Sequence, residues 1–155
     1  MPESFTSIAD LEASVGRQLG PTPWRMLTQE EVDAFAALTG DENWIHVDRE
    51  RAARGPFGGT IAHGYLTLAL VPAFGHQLFS LDDIDAVRLN YGLDKVRFPR
   101  PVPTGARLRA RAEVVRLTRV ATGRQLTVRY TLEIEGEAKP ACVADMVTLI
   151  VLPDA

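Results

Sequence analysis

Residues 64–79, GYLTLALVPAFGHQLF, decide the fold. Leu66, Ala69, Leu70, Ala73, Phe74 and Leu78 form one helical stripe, and Leu68 and Val71 spread beyond it. A helix that is apolar on nearly every side is a buried one. Pro72 sits inside the run and must kink it or mark a boundary, because proline removes an N–H and crowds the preceding turn. Such a helix needs a cover, and the C-terminal half of the chain supplies one.

Residues 80–90 read as a polar loop, and everything after them reads as β. Lys95–Phe98 leads into RPVPTG, too proline-rich for a helix. Leu108, Ala110, Ala112 and Val114 alternate with Arg107, Arg109, Arg111 and Glu113, so one face is buried and the other wet. The apolar phase then moves to Val115 and Leu117, which predicts a bulge near Val114. Thr122-Gly123 makes a turn, Leu126 to Ile134 alternate cleanly, and Glu135-Gly136-Glu137 turns the chain again. Residues 141–152 are apolar in both phases apart from Asp145, as in a strand covered on both sides. Three long strands joined by tight turns make an antiparallel sheet. The expected architecture is therefore α+β: a curved sheet wrapped around the 64–79 helix.

Upstream, Ile8, Leu11 and Val15 fall at helical spacing before Gly16 and Gly20. Residues 17–27 carry two prolines and read as an irregular edge segment. Thr28 with Glu31 three positions on matches a capping box. The helix it opens shows Val32, Phe35, Ala36 and Leu38 on its apolar face and ends at Gly40. Asp48 can cap a further helical turn reaching Arg54.

Composition excludes several classes. The 155 residues are 46% apolar and 24% charged, the profile of one globular domain spanning 1–155. A net charge of −3 argues against general nucleic-acid binding, which requires a basic surface. The single cysteine, Cys142, forms no internal disulfide and fits a reducing cytoplasm. Neither a secretion signal nor a membrane-spanning run is visible, so a cytoplasmic location is expected.

The chemistry concentrates in residues 35–64, FAALTGDENWIHVDRERAARGPFGGTIAHG. Gly40 breaks the helix just ahead of Asp41, which frees Asp41 and His46 to converge on one point. An Asp and a His beside a glycine-rich helix start suit acid–base work on a carbonyl compound. Each has a plainer reading. An Asp after a Gly is often a turn residue, and a lone His is often a hydrogen-bonded loop residue. His63 reads as a helix cap or core hydrogen bond, and His76 as a surface or interface residue.

The run FAALTGDENWIH, with Ala52 six residues after His46, resembles the signature of the MaoC-like hydratase/dehydratase family. GTIAHG and KVRFPRPVPTG are similar to the same family, so the likeness covers nearly the whole chain. It is a likeness to the short, single-domain, mycobacterial-type members. It implies a hot-dog fold paired into dimers and (R)-specific hydration of enoyl-CoA, or dehydration of 3-hydroxyacyl thioesters. By the same resemblance Asp41 and His46 activate the water, the N–H of Gly64 holds the thioester oxygen, and Asn43 orients His46 or the substrate. Physics supports the role of Gly64, because a helix start offers free N–H groups and partial positive charge. A glycine there also lets the thioester approach without a Cβ in the way. His63 joins the substrate-binding candidates. Trp44 stands where relatives commonly carry Pro, and a bulky ring there is expected to shape the acyl tunnel. Lys95, Arg97 and Arg100 have two readings, contacts to coenzyme A phosphates or a merely solvated strand end. No cofactor is expected beyond coenzyme A as part of the substrate, and no metal: neither HExxH nor paired-Cys spacing occurs. A hot-dog thioesterase, a metal hydrolase on Asp41, His46 and His63, and a non-catalytic acyl-thioester binder are the rival functions.

Overall fold

The computed structural model describes residues 1–153. Its elements in chain order are β1 (Glu3–Ser4), α1 (Ile8–Ala13), β2 (Gln18–Leu19), β3 (Arg25–Met26), α2 (Gln29–Thr39), α3 (Trp44–Val47) and α4 (Arg49–Ala53). They continue with α5 (Gly64–Ala69), α6 (Val71–Leu78), β4 (Phe79–Ser80), β5 (Val87–Arg97), β6 (Arg107–Val120), β7 (Gly123–Ile134) and β8 (Cys142–Val151). The main sheet runs β2-β6-β7-β8-β5 with antiparallel neighbours, and β3 also pairs with β6. β1 and β4 form a separate parallel pair. Among the described residues no helix is long and apolar enough to cross a membrane.

The inward side chains of the sheet, Leu108, Ala110, Val114, Leu126, Val128, Tyr130, Leu132 and Ile150, pack against Leu66, Val71, Phe74 and Leu78 of α5 and α6. Each fully buried Leu, Val or Phe contributes about 1.5–3 kcal/mol, well above the few tenths that separate helix propensities. Packing therefore decides where this helix lies.

Local signals hold where they are covalently close. Thr28 and Glu31 form both bonds of the capping box, Gly40 ends α2 in the left-handed region at φ 75°, and the Asp48 carboxylate caps α4. The register of β6 on β7 shifts between Val114 and Arg116, at the expected bulge.

The boundary expected at Pro72 is present: the 64–79 run is two helices meeting at Leu70, with Pro72 in the first turn of the second, where its missing N–H costs nothing. Several expectations need correction. The run is not buried all round: Tyr65, Ala69, Ala73 and His76 are exposed. Leu38 is 83% exposed and lies off the apolar face of α2. The polar loop ends at residue 86, since β5 begins at Val87 and makes a fourth long strand. Shifts between Asn90 and Gly92 and between Leu93 and Lys95 scramble its alternation. β8 is covered by strands on both flanks, β7 and β5, and Asp145 within it accepts from both Nε–H and Nη2–H of Arg129.

Candidate active site

The left-handed turn at Gly40 throws the chain out of α2, so Asp41 leaves the helix with its carboxylate half exposed. Asn43 then starts α3: its side chain accepts from the N–H of Ile45 and its carbonyl from the N–H of His46. That single turn swings His46 inward to 7% exposure. The Nδ1–H of His46 donates to the carbonyl of Ile61 at 2.6 Å, which leaves Nε2 with a free lone pair.

Residues 60–62 run beside α3 and end in His63. The His63 ring is 2% exposed and stacks on His46, centroids 3.7 Å apart and planes 24° from parallel. The ring of Phe35 lies tilted on it at 5.0 Å. Its Nε2–H donates to the backbone carbonyl of Asp41 at 2.8 Å, and a carboxylate oxygen of Asp41 lies 4.0 Å away. Nδ1 of His63 is buried with no partner, a state that costs about 1–3 kcal/mol. His63 makes no side-chain cap on α5, so capping is not its role.

Gly64 follows as the first residue of α5, and its N–H makes no hydrogen bond among the described residues. The reason for a glycine here differs from the expected one. A Cβ would lie 3.0–3.2 Å from the ring of Phe98, so the chain itself fills that direction. Tyr65, 71% exposed, meets the same ring edge-on.

The other candidates have partners of their own. The indole of Trp44 carries the guanidinium of Arg51 4.3 Å above it and abuts Gly55, so it fastens α3 to α4. Arg100 is paired with Glu137 at 2.9 Å, Lys95 stands opposite Asp145, and Arg97 donates to the carbonyl of Val96. Asp41, His46 and His63 bring ligand atoms within 4.8 Å of one another. Yet nearly parallel rings send their in-plane lone pairs alongside each other, and two of the four ring nitrogens already serve carbonyls. That geometry suits a metal poorly.

Two contributors escaped the sequence reading. Gln29 donates to the carbonyl of His46 at 2.8 Å and to Asp33, and accepts from Thr60, tying α2, α3 and the 60–62 segment together. Phe98 lies across Gly64 from a strand end 34 positions downstream. Neither has a local signal, because both contacts exist only once the chain is folded.

A cavity of about 660 Å³ opens beneath α6, lined by Pro72, Gly75, Phe79, Val128, Tyr130 and Met146 among others. It includes none of Asp41, His46 and His63, and its helical wall belongs to α6 and not to the start of α5 at Gly64. At Gly75 a Cβ would come 2.9 Å from the Tyr130 hydroxyl, whose titration burial pushes far up. It stays a donor at neutral pH.

Fold and cluster together define a hot-dog domain with one aspartate and two histidines gathered near the start of its central helix. The MaoC like domain family matches residues 10–136, and the chain belongs to that family. It is 52% identical over 145 residues to 3-hydroxyacyl-thioester dehydratase Z of Mycobacterium tuberculosis, covering 93% of this chain and 95% of that protein. Nodulation protein N of Rhizobium leguminosarum bv. viciae is 43% identical over 146 residues, 93% of this chain and 91% of its own. Among solved structures, the (R)-hydratase from A. caviae involved in PHA biosynthesis superposes with a TM-score of 0.69 at 28% identity, covering 90% and 96% of the two chains.

Proposed function

We propose that the chain catalyses (R)-specific hydration of trans-2-enoyl-CoA to (R)-3-hydroxyacyl-CoA, and the reverse dehydration, with coenzyme A entering as part of the substrate. The observation that carries this reading is the unspent Nε2 of His46 in a cluster where ligand atoms of Asp41, His46 and His63 lie within 4.8 Å of one another, with the free N–H of Gly64 following His63 in the chain. Asp41 and His46 hold one water, and one of them takes its proton as the hydroxyl oxygen bonds to the β-carbon. The π electrons move onto the thioester, whose oxygen gains negative charge at the Gly64 N–H. The proton then returns to the α-carbon, so H and OH are added across the double bond and nothing else is consumed. The naming of a 52% identical relative as a 3-hydroxyacyl-thioester dehydratase supports the same chemistry.

Pairing of two copies belongs to the reading. Val87, Leu89, Tyr91 and Leu93 are 45–63% exposed on β5, an edge strand paired only with β8, and Tyr65, Ala69 and Ala73 leave a bare strip on the central helix. A second copy covers both, and the acyl site lies where the subunits meet.

The experiment is a panel of enoyl-CoA substrates of increasing length, followed by loss of enoyl absorbance, with chiral analysis of the product. Formation of (R)-3-hydroxyacyl-CoA is expected. Release of free coenzyme A without loss of the double bond would instead make the chain a thioesterase.

A further inference from the structure

Both members of the acid–base pair are held by their own carbonyl oxygens. A side-chain N–H of Gln29 holds that of His46, and the Nε2–H of His63 holds that of Asp41, each at 2.8 Å. The other hydrogen bond of the Asp41 backbone, its N–H to Thr39 Oγ1, is long at 3.4 Å. His63 is thus the short tether on a residue that stands outside any helix.

The two stacked rings carry opposite tautomers. His46 has its proton on Nδ1 and its lone pair on Nε2, whereas His63 has its proton on Nε2 and its lone pair on a buried Nδ1 that receives nothing. An aromatic ring without nitrogen would fill the same space between Phe35 and His46 and leave no orphan. What the imidazole adds over such a ring is one N–H aimed at Asp41. A buried polar atom without a partner calls for a compensating use, and the tether is that use.

We propose that His63 is a positioning residue of the reaction. Through the backbone of Asp41 and the ring of His46 it keeps the water-activating pair in register, and it exchanges no proton with the substrate. The proposal rests on the reading of Asp41 and His46 as that pair. Displacing a reacting group by about 1 Å costs on the order of a hundredfold in rate, so one tether matters.

Two variants separate tether from packing. His63→Phe keeps an aromatic ring against His46 and removes the N–H. His63→Gln restores an N–H near the Nε2 position. With crotonyl-CoA, His63→Phe should lose about 10–100-fold in kcat, with KM moved less than about twofold and the melting temperature held. His63→Gln should recover most of that kcat with the pH profile of the unchanged chain. Wild-type kcat in folded His63→Phe would overturn the proposal, and so would a lost pH limb in His63→Gln, which would make His63 the titrating catalyst. A second readout needs no turnover: ¹⁵N spectra of the imidazoles should show His63 protonated on Nε2 and His46 on Nδ1. The opposite tautomer at His63 overturns the tether directly. An unchanged chain with these tautomers but no hydration of crotonyl-CoA would instead sink the reading of the pair.

Discussion

The outer face of the sheet and the Asp41 cluster treat charge in opposite ways. On the sheet, Arg129 grips Asp145 with two hydrogen bonds, Arg109 and Arg111 share Glu133, Arg107 meets Glu135, and Arg116 meets Asp94. Burial alone would push the carboxyl of Glu133 up, but the two arginines hold it below the usual range. Hydrogen bonding from Arg129 does the same for Asp145 and raises the guanidinium in return. Asp41 has no such partner: its nearest ionisable neighbour is His63, 4.0 Å away. On the sheet the carboxylates are neutralised by arginines, whereas beside Asp41 the only group within salt-bridge reach among the described residues is an imidazole.

The sharpest way to break this comparison is to remove the unspent groups. Asp41→Asn and His46→Gln should each lower turnover on crotonyl-CoA by about 10²–10⁴ while melting temperatures stay near that of the unchanged chain. On the proposed mechanism the two share one water, so the double variant should be little worse than the poorer single one. Near-normal turnover in either folded single variant would remove both residues from the mechanism.

The bare edge of β5 is a third unspent region, and its effect should be on assembly. Light scattering should give about twice the 17.0 kDa chain mass at micromolar concentration. Leu89→Glu with Tyr91→Glu should shift it to the single chain, since charges on an edge strand oppose pairing. A monomer before any substitution would refute the pairing.

The smallest effect belongs to the paired face. Asp145→Asn should lower the melting temperature by about 2–4 °C at neutral pH and leave turnover alone. The sign with pH follows from the depressed carboxyl: its stabilisation is complete above the unfolded value near pH 4 and fades as pH falls through the folded one. The gap between variant and unchanged chain should therefore close in acid. A gap that widened there would mean the pair does something else.

What could be read from the sequence was what lies close along the chain. The Thr28 capping box, the Gly40 stop, the Asp48 cap and the Val114 bulge each depend on residues within a few positions. Asp41 and His46 were legible for the same reason. β5 was not, because two register shifts break its alternation and its edge position exposes apolar residues such as Leu89 and Tyr91. His63 carried no sign of its place between Phe35 and His46, and Gln29 and Phe98 act across long separations. Trp44 was singled out by the resemblance, as the residue standing where relatives carry Pro, and its contacts with Arg51 and Gly55 could not be read from its position.

The break at Leu70 divides the central helix into two pieces with different duties. Gly64, with its free N–H and its covering Phe98, sits on the first piece, while Pro72, Gly75 and the cavity wall belong to the second. Leu70 keeps helical backbone angles and bonds to both pieces, donating to Leu66 and accepting from Phe74, so a single run of chain offers one glycine with an open N–H and another that lets Tyr130 approach.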